Sequence, residues 1–218
     1  MKNMHLTTQT HFYGSQLEEA KAIVILLHGR RQEIQQIRKL SEQLSLSEEI
    51  CYILPVAHEQ TWYPHGFMAP IAKNQPHLDH ALECIDQIVS MLNVRKIPST
   101  KVVLMGFSQG ACLAVEYVLR NPDKLGGLIS FTGGAFGAEN DNITIPKNKN
   151  LNIPVFLSIR DSDTWVPLDR VVKTAKIFKS CNADVNLHIY PGTEHHVSND
   201  EINEARTMLK KFLQGAIN

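Results

Sequence analysis

The sequence predicts an α/β fold, with a mainly parallel central sheet covered by helices on both faces. Three observations carry this. Short apolar runs alternate with longer amphipathic stretches along the whole chain, the pattern of strands joined by helical crossovers. Those runs are nearly continuous in Val, Ile and Leu, as strands buried on both faces require. The run 101–105 passes through the five residues 106–110 directly into a helical pattern, strand, tight turn and helix in immediate succession.

In chain order, residues 8–13 form an edge-strand candidate, and 22–27 form the first apolar strand. Residues 32–46 carry helical periodicity, 50–54 a second apolar strand, and 55–75 a sizeable loop with Trp62, Tyr63, Phe67 and Met68. Helical spacing returns over 77–94, a strand over 101–105, and a helix over 111–120 that Asn121-Pro122 stops. A strand over 127–131, a Gly- and Asn-rich loop over 133–152 and a strand over 153–159 follow. A helix over 168–180, a strand over 185–190 and a closing helix over 199–214 complete the pattern. Right-handed crossovers between parallel strands place ligands at the carboxyl ends of the strands, so the loops there are where chemistry is sought.

Length and charge bound the rest. A chain of 218 residues suits one domain over residues 1–218, which buries roughly 70% of its unfolded surface. No insertion is long enough for a large cap. With 22 basic and 22 acidic residues the net charge is zero, and no basic block exists, which argues against nucleic acid or an anionic membrane as the main partner. Cys51, Cys84, Cys112 and Cys181 show no C-x-x-C spacing and read as reduced and buried. Residues 1–11 are polar, and the apolar run 22–27 is far too short to span a bilayer. The expectation is a cytoplasmic protein without stable membrane insertion, monomer or homodimer, acting on a small molecule.

Three loops carry the chemistry. In Gly106-Phe107-Ser108-Gln109-Gly110 the serine sits on a strand-to-helix turn that lifts its hydroxyl clear of the sheet, the setting of a nucleophile elbow. Strand and helix approach so closely there that the positions two before and two after the serine must be nearly bare, which Gly106 and Gly110 satisfy. The loop His28-Gly29-Arg30-Arg31 is of the kind that supplies one of two backbone N–H groups to a developing oxyanion, making the N–H groups of Arg30 and Gln109 the candidates, with His28 bracing the loop. After the strand 153–159, Asp161 and Asp163 compete as the acid of a triad, while Asp169 reads as a first-turn helix charge. After the strand 185–190, His195 and His196 compete as the base. A metal site at that pair lacks a Cys or acidic residue to complete a ligand set, and no metal or cofactor is expected.

The order of serine, acid and histidine, each after its own strand, matches that of α/β-hydrolases. The chain resembles more narrowly the phospholipase/carboxylesterase family of small esterases, which includes the acyl-protein thioesterases. The matching residues are Leu26 to Arg30, Pro55 with Thr61-Trp62-Tyr63-Pro64, Gly106 to Ala111, Asp161-Ser162-Asp163 with Val166-Pro167, and Tyr190-Pro191-Gly192 with His195. The resemblance implies the α/β-hydrolase fold without a large cap, Asp163 as acid and His195 as base beside Ser108, and no cofactor. It also supports Arg30 and Gln109 as oxyanion donors.

Two departures stand out. The family commonly has His-Gly where this chain has Ile159-Arg160, and often a glycine where it has Arg31, which bears on the loop's shape and the acyl group accepted. The expected activity is serine carboxylesterase chemistry on short-chain esters or thioesters. Lactone opening or carbon–carbon bond hydrolysis on the same triad, or a non-catalytic binding role, are the alternatives. Trp62, Phe67 and Trp165 are candidate substrate-binding residues, with pinning of the loop the other reading of Trp62 and Phe67. Arg30, Arg31 and Arg160 either attract an anionic leaving group or face solvent.

Overall fold

The computed structural model describes residues 2–138, 143–146 and 150–215. Seven strands form one sheet: β1 (Thr10–Gly14), β2 (Ala22–Leu27), β3 (Ile50–Pro55), β4 (Val102–Phe107), β5 (Gly127–Phe131), β6 (Pro154–Arg160) and β7 (Asp184–Tyr190). Their order is β1-β3-β2-β4-β5-β6-β7, with β1 antiparallel to β3 and every other pair parallel. Among the described residues four α-helices connect strands, α1 (Ile34–Gln43), α2 (His77–Val94), α3 (Gln109–Arg120) and α4 (Leu168–Ser180), and α5 (Asn199–Leu213) follows β7. Among the described residues no helix is long and apolar enough to cross a membrane.

The alternation of side chains along each strand divides the core. On β2, Ile23, Ile25 and Leu27 belong to the core that includes residues of α2, α3 and α4, while Ala22, Val24 and Leu26 belong to the one that includes residues of α1 and α5. Every residue of β2, β3, β5 and β6 is buried, which is why these strands read as unbroken apolar runs. β7 alternates exposed and half-buried positions, as the edge of the sheet allows.

Differences from the sequence pattern lie at element ends. The first helix begins at Ile34 rather than 32, because Glu33 is extended and its N–H donates to the Gln36 side chain, and it ends before Ser45, whose φ is +55°. α3 begins at Gln109, immediately after the serine, and a 3-10 turn over Ser99–Lys101 delays β4 by one residue. The Gly- and Asn-rich loop lies partly outside the described residues, at 139–142 and 147–149.

Candidate active site

β2 and β4 are neighbours at the centre of the sheet, with Leu27 opposite Gly106, so the loops at their carboxyl ends open side by side. Ser108 sits at φ +52° and ψ −115°, a strained conformation between strand and helix. The tightness of the turn accounts for both glycines. A Cβ on Gly106 would lie 2.5 Å from the Gly110 backbone, and one on Gly110 would lie 2.4 Å from the Leu27 carbonyl oxygen.

β6 and β7 deliver the other two groups. His195 Nε2 lies 2.7 Å from Ser108 Oγ, and its Nδ1 lies 2.8 Å from Asp163 Oδ2. The Asp163 carboxylate is fully buried, and its Oδ1 accepts the N–H groups of Trp165 and Val166, both at 2.8 Å. Asp161 instead joins the two loops: its Oδ1 accepts the Gly192 N–H at 3.1 Å, while the Asp161 N–H donates to Tyr190 O. The structure therefore brings Ser108, His195 and Asp163 into one chain of contacts and leaves Asp161 and the exposed His196 outside it. Among the described residues no three His, Cys, Asp or Glu side chains group as a metal site.

The loop after β2 shows which of its N–H groups is free. The Gly29 N–H donates to Gln32 Oε1 and the Arg31 N–H to Gln60 O, whereas those of Arg30 and Gln109 have no acceptor among the described residues. Both residues line the cavity at Ser108. Arg31 has φ +57°, the left-handed region that favours glycine. The loop thus keeps a glycine-like backbone here, and the arginine side chain adds to the cavity wall.

The Arg30 guanidinium is not available to a substrate. It donates to the carbonyls of Tyr63, Pro64 and His65 at 2.8 to 3.0 Å. Gln109 grips the same segment: its Oε1 accepts the Trp62 N–H, its Nε2 donates to Tyr63 O, and its carbonyl accepts the Tyr63 hydroxyl. Arg160 is likewise buried. It donates to Pro191 O at 3.1 Å and faces the Glu194 and Glu201 carboxylates at 3.6 and 3.9 Å. Of the three arginines considered as anion attractors, only Arg31 remains.

Around Ser108 lies a cavity of about 830 Å³, within the range of small-molecule sites. Phe67 and Trp165 line it, together with Tyr63, Cys112 and Val166. Trp62 does not. Its ring is fully buried between His5 and His28, with centroids at 5.5 and 5.0 Å, and its Nε1–H donates to His28 O. Trp62 pins the loop because an indole beside an inward-facing backbone carbonyl satisfies both its apolar body and its N–H. His28 braces the same loop: its Nε2 accepts the Ala57 N–H, its Nδ1–H donates to Gly29 O, and burial lowers its pKa, which keeps it neutral. Burial also pushes the Cys112 thiol up to about 12, so it offers no thiolate to compete with the serine. The sequence pattern offered Tyr63 only as one of the aromatics of its loop and missed Cys112 as a wall residue, although each stands beside or within a motif.

The family described as phospholipase/carboxylesterase matches residues 12–213. The chain belongs to that family. Its members are hydrolases of esterase and thioesterase type. Acyl-protein thioesterase 1 of Debaryomyces hansenii is 25% identical over 217 residues, covering 89% of this chain and 93% of its own. A phospholipase/carboxylesterase from Dyadobacter fermentans superposes with a TM-score of 0.86 at 38% identity, covering 94% of this chain and 97% of its own. The Bacillus cereus carboxylesterase shares the fold, with a TM-score of 0.74 at 16% identity and coverage of 97% and 100%.

Proposed function

We propose that this member of the family is a serine carboxylesterase that hydrolyses esters and thioesters of short acyl chains through an acyl-enzyme. The observation that carries the reading is the continuous contact from Ser108 Oγ through His195 to the buried Asp163, in a cavity also lined by Arg30 and Gln109, whose N–H groups lack an acceptor among the described residues. His195 takes the proton of Ser108 as the hydroxyl attacks the carbonyl carbon. Asp163 holds the imidazole with its proton on Nδ1 and stabilises the imidazolium that forms. The Arg30 and Gln109 N–H groups receive the oxyanion of the tetrahedral intermediate. Collapse transfers the His195 proton to the departing alcohol or thiol, and water then repeats the sequence to free Ser108.

The preference for short acyl chains rests on the wall opposite the serine. Tyr63, Phe67, Cys112 and Val166 are all buried members of the hydrophobic core, so the acyl side of the cavity ends on packed protein. The test is labelling by a fluorophosphonate, which needs an activated serine, followed by a series of p-nitrophenyl esters of increasing length. Ser108→Ala is expected to abolish labelling and to lower kcat by several decades with folding intact. A variant that kept more than about a tenth of the turnover would overturn the assignment.

A further inference from the structure

The cavity straddles the carboxyl edge of the sheet, and its two halves differ in chemistry. Toward α2, α3 and α4 it is walled by Tyr63, Phe67, Cys112 and Val166, which belong to the core on that face. Toward α1 and α5 it is walled by Phe107, Leu40 and Val197, which belong to the opposite core, and here polar side chains of α1 and the segment before it line it too.

Gln32 and Gln36 are the informative ones. The Gln32 carbonyl oxygen accepts the Gly29 N–H and the Gln36 carbonyl oxygen accepts the Glu33 N–H, both at 2.8 Å. A backbone N–H only donates, so both amides are oriented by chemistry with oxygen toward the backbone and NH2 free. Neither NH2 group has an acceptor among the described residues, and neither does the exposed Arg31 guanidinium beside them. Among the described residues no carboxylate lines the cavity; Glu194, on the neighbouring loop, faces Arg160, and the Glu33 carboxylate is turned to the Gln36 N–H in the capping box of α1. Among the described residues that line it, this half offers donors and one positive charge and no carboxylate.

Proton delivery tells which half receives which part of the substrate. The leaving atom must depart beside His195 Nε2. The His195 ring packs against Phe107, at 5.2 Å between centroids, and a Cβ on Gly29 would lie 3.2 Å from Phe107 and 3.4 Å from Gln32 Oε1. Phe107 therefore joins the general acid to the donor-lined half. We propose that this half binds the leaving group, and that the leaving alcohol or thiol carries an anion, a carboxylate or phosphate, received by Arg31 and the amide NH2 groups of Gln32 and Gln36. The inference rests on Ser108 as the nucleophile.

The experiment compares acetyl esters matched in size: 3-acetoxybenzoate, 3-acetoxyphenyl phosphate and the neutral 3-acetoxybenzamide. At low salt kcat/KM is expected to favour the anionic esters by about five-fold, falling toward parity at high salt. A preference for only one anion identifies which group is received. Arg31→Gln is expected to remove most of the preference and Arg31→Lys to keep part of it. Gln36→Glu preserves a residue that suits the third position of a capping box, so the helix start survives while a donor becomes a carboxylate; it is expected to reverse the preference. Moving the anion to the acyl side, as in p-nitrophenyl hemisuccinate against p-nitrophenyl butyrate, is expected to lower kcat/KM.

Parity at low salt, or a preference that survives both Arg31→Gln and Gln36→Glu, would overturn the inference while leaving Ser108-dependent turnover of the neutral ester in place. Turnover of all three esters by Ser108→Ala at the wild-type rate would instead sink the nucleophile, and this inference with it.

Discussion

Replacing Gly110 by alanine tests how the proposed oxyanion site is held. The added Cβ would meet the Leu27 and His28 carbonyl oxygens at 2.4 and 2.6 Å, where ordinary contact begins near 3.4 Å, so the end of β2 and the start of α3 must part by about 1 Å. Neither neighbour is a side chain that can swing away. The displaced backbone leads directly into Arg30, while Gln109 precedes the substituted residue, so the two N–H groups separate by a similar amount. A misplacement of about 1 Å costs on the order of 100-fold in rate, or about 2.7 kcal/mol of barrier. Overpacking costs about 1 to 3 kcal/mol of stability, offset in part by the better helix propensity of alanine. The assays are the urea midpoint, kcat on a short p-nitrophenyl ester and the affinity of a boronic acid analogue, which should weaken in step with kcat. Gly29→Ala is the control, since the nearest atoms to its Cβ would belong to side chains, the Phe107 ring at 3.2 Å and Gln32 Oε1 at 3.4 Å. If Gly110→Ala kept kcat within about three-fold of wild type, with the stability of wild type, the close approach of strand and helix would not be what sets the donors.

Three further outcomes follow from contacts already described. Asp163→Asn and His195→Ala should each lower kcat by several decades and Asp161→Asn and His196→Ala by less than about ten-fold, since members of one relay fail together; a severe loss in His196→Ala would move the base by one residue. Arg160→Leu frees the Pro191 carbonyl and two carboxylates at the root of the histidine loop, and should lower kcat about ten-fold at constant KM, with partial recovery in Arg160→Lys; a change confined to KM would refute a positioning role. His5 accepts the His58 N–H on Nδ1 and lies against Trp62 O through Nε2, and burial lowers its pKa to about 4 from 6.5. Its contribution is complete above pH 6.5 and is lost as pH falls from there toward 4, because the unfolded chain binds the proton more readily. Urea midpoints across that range should therefore fall with acidity, and His5→Gln, which can still accept and donate, should flatten the slope; an unchanged slope would exonerate His5.

The central strands and helices were legible because burial on both faces leaves unbroken apolar runs and amphipathic helices leave a 3.6-residue period. The elbow was legible because only glycine fits where Gly106 and Gly110 meet backbone. Asp161 and Asp163 were not separable by spacing, since both stand in a turn and the difference is which one faces His195. Trp62 was misjudged as a wall candidate because an aromatic in a loop has the same sequence signature whether it faces the cavity or the core. The arginines were misjudged for a related reason: Arg30 and Arg160 spend their guanidinium groups on backbone carbonyls and carboxylates far along the chain, and no local pattern records such partners. The amide donors of Gln32, just before α1, and Gln36, in its first turn, become visible only when their side-chain carbonyl oxygens are seen to be occupied.

Gln109 links two properties that are usually adjusted separately. Its N–H is proposed to receive the charge that develops on the substrate, while its carboxamide and carbonyl hold Trp62 and Tyr63. The segment that would limit acyl length and the residue that would stabilise the oxyanion are thus tied together, with Arg30 clamping the other end of the same segment. A variant selected for a roomier pocket through this loop should therefore surrender turnover even on its original substrate, whereas Val166 and Trp165 hold Asp163 through backbone N–H groups that a side-chain substitution keeps, so chain-length preference should shift there at smaller cost in rate.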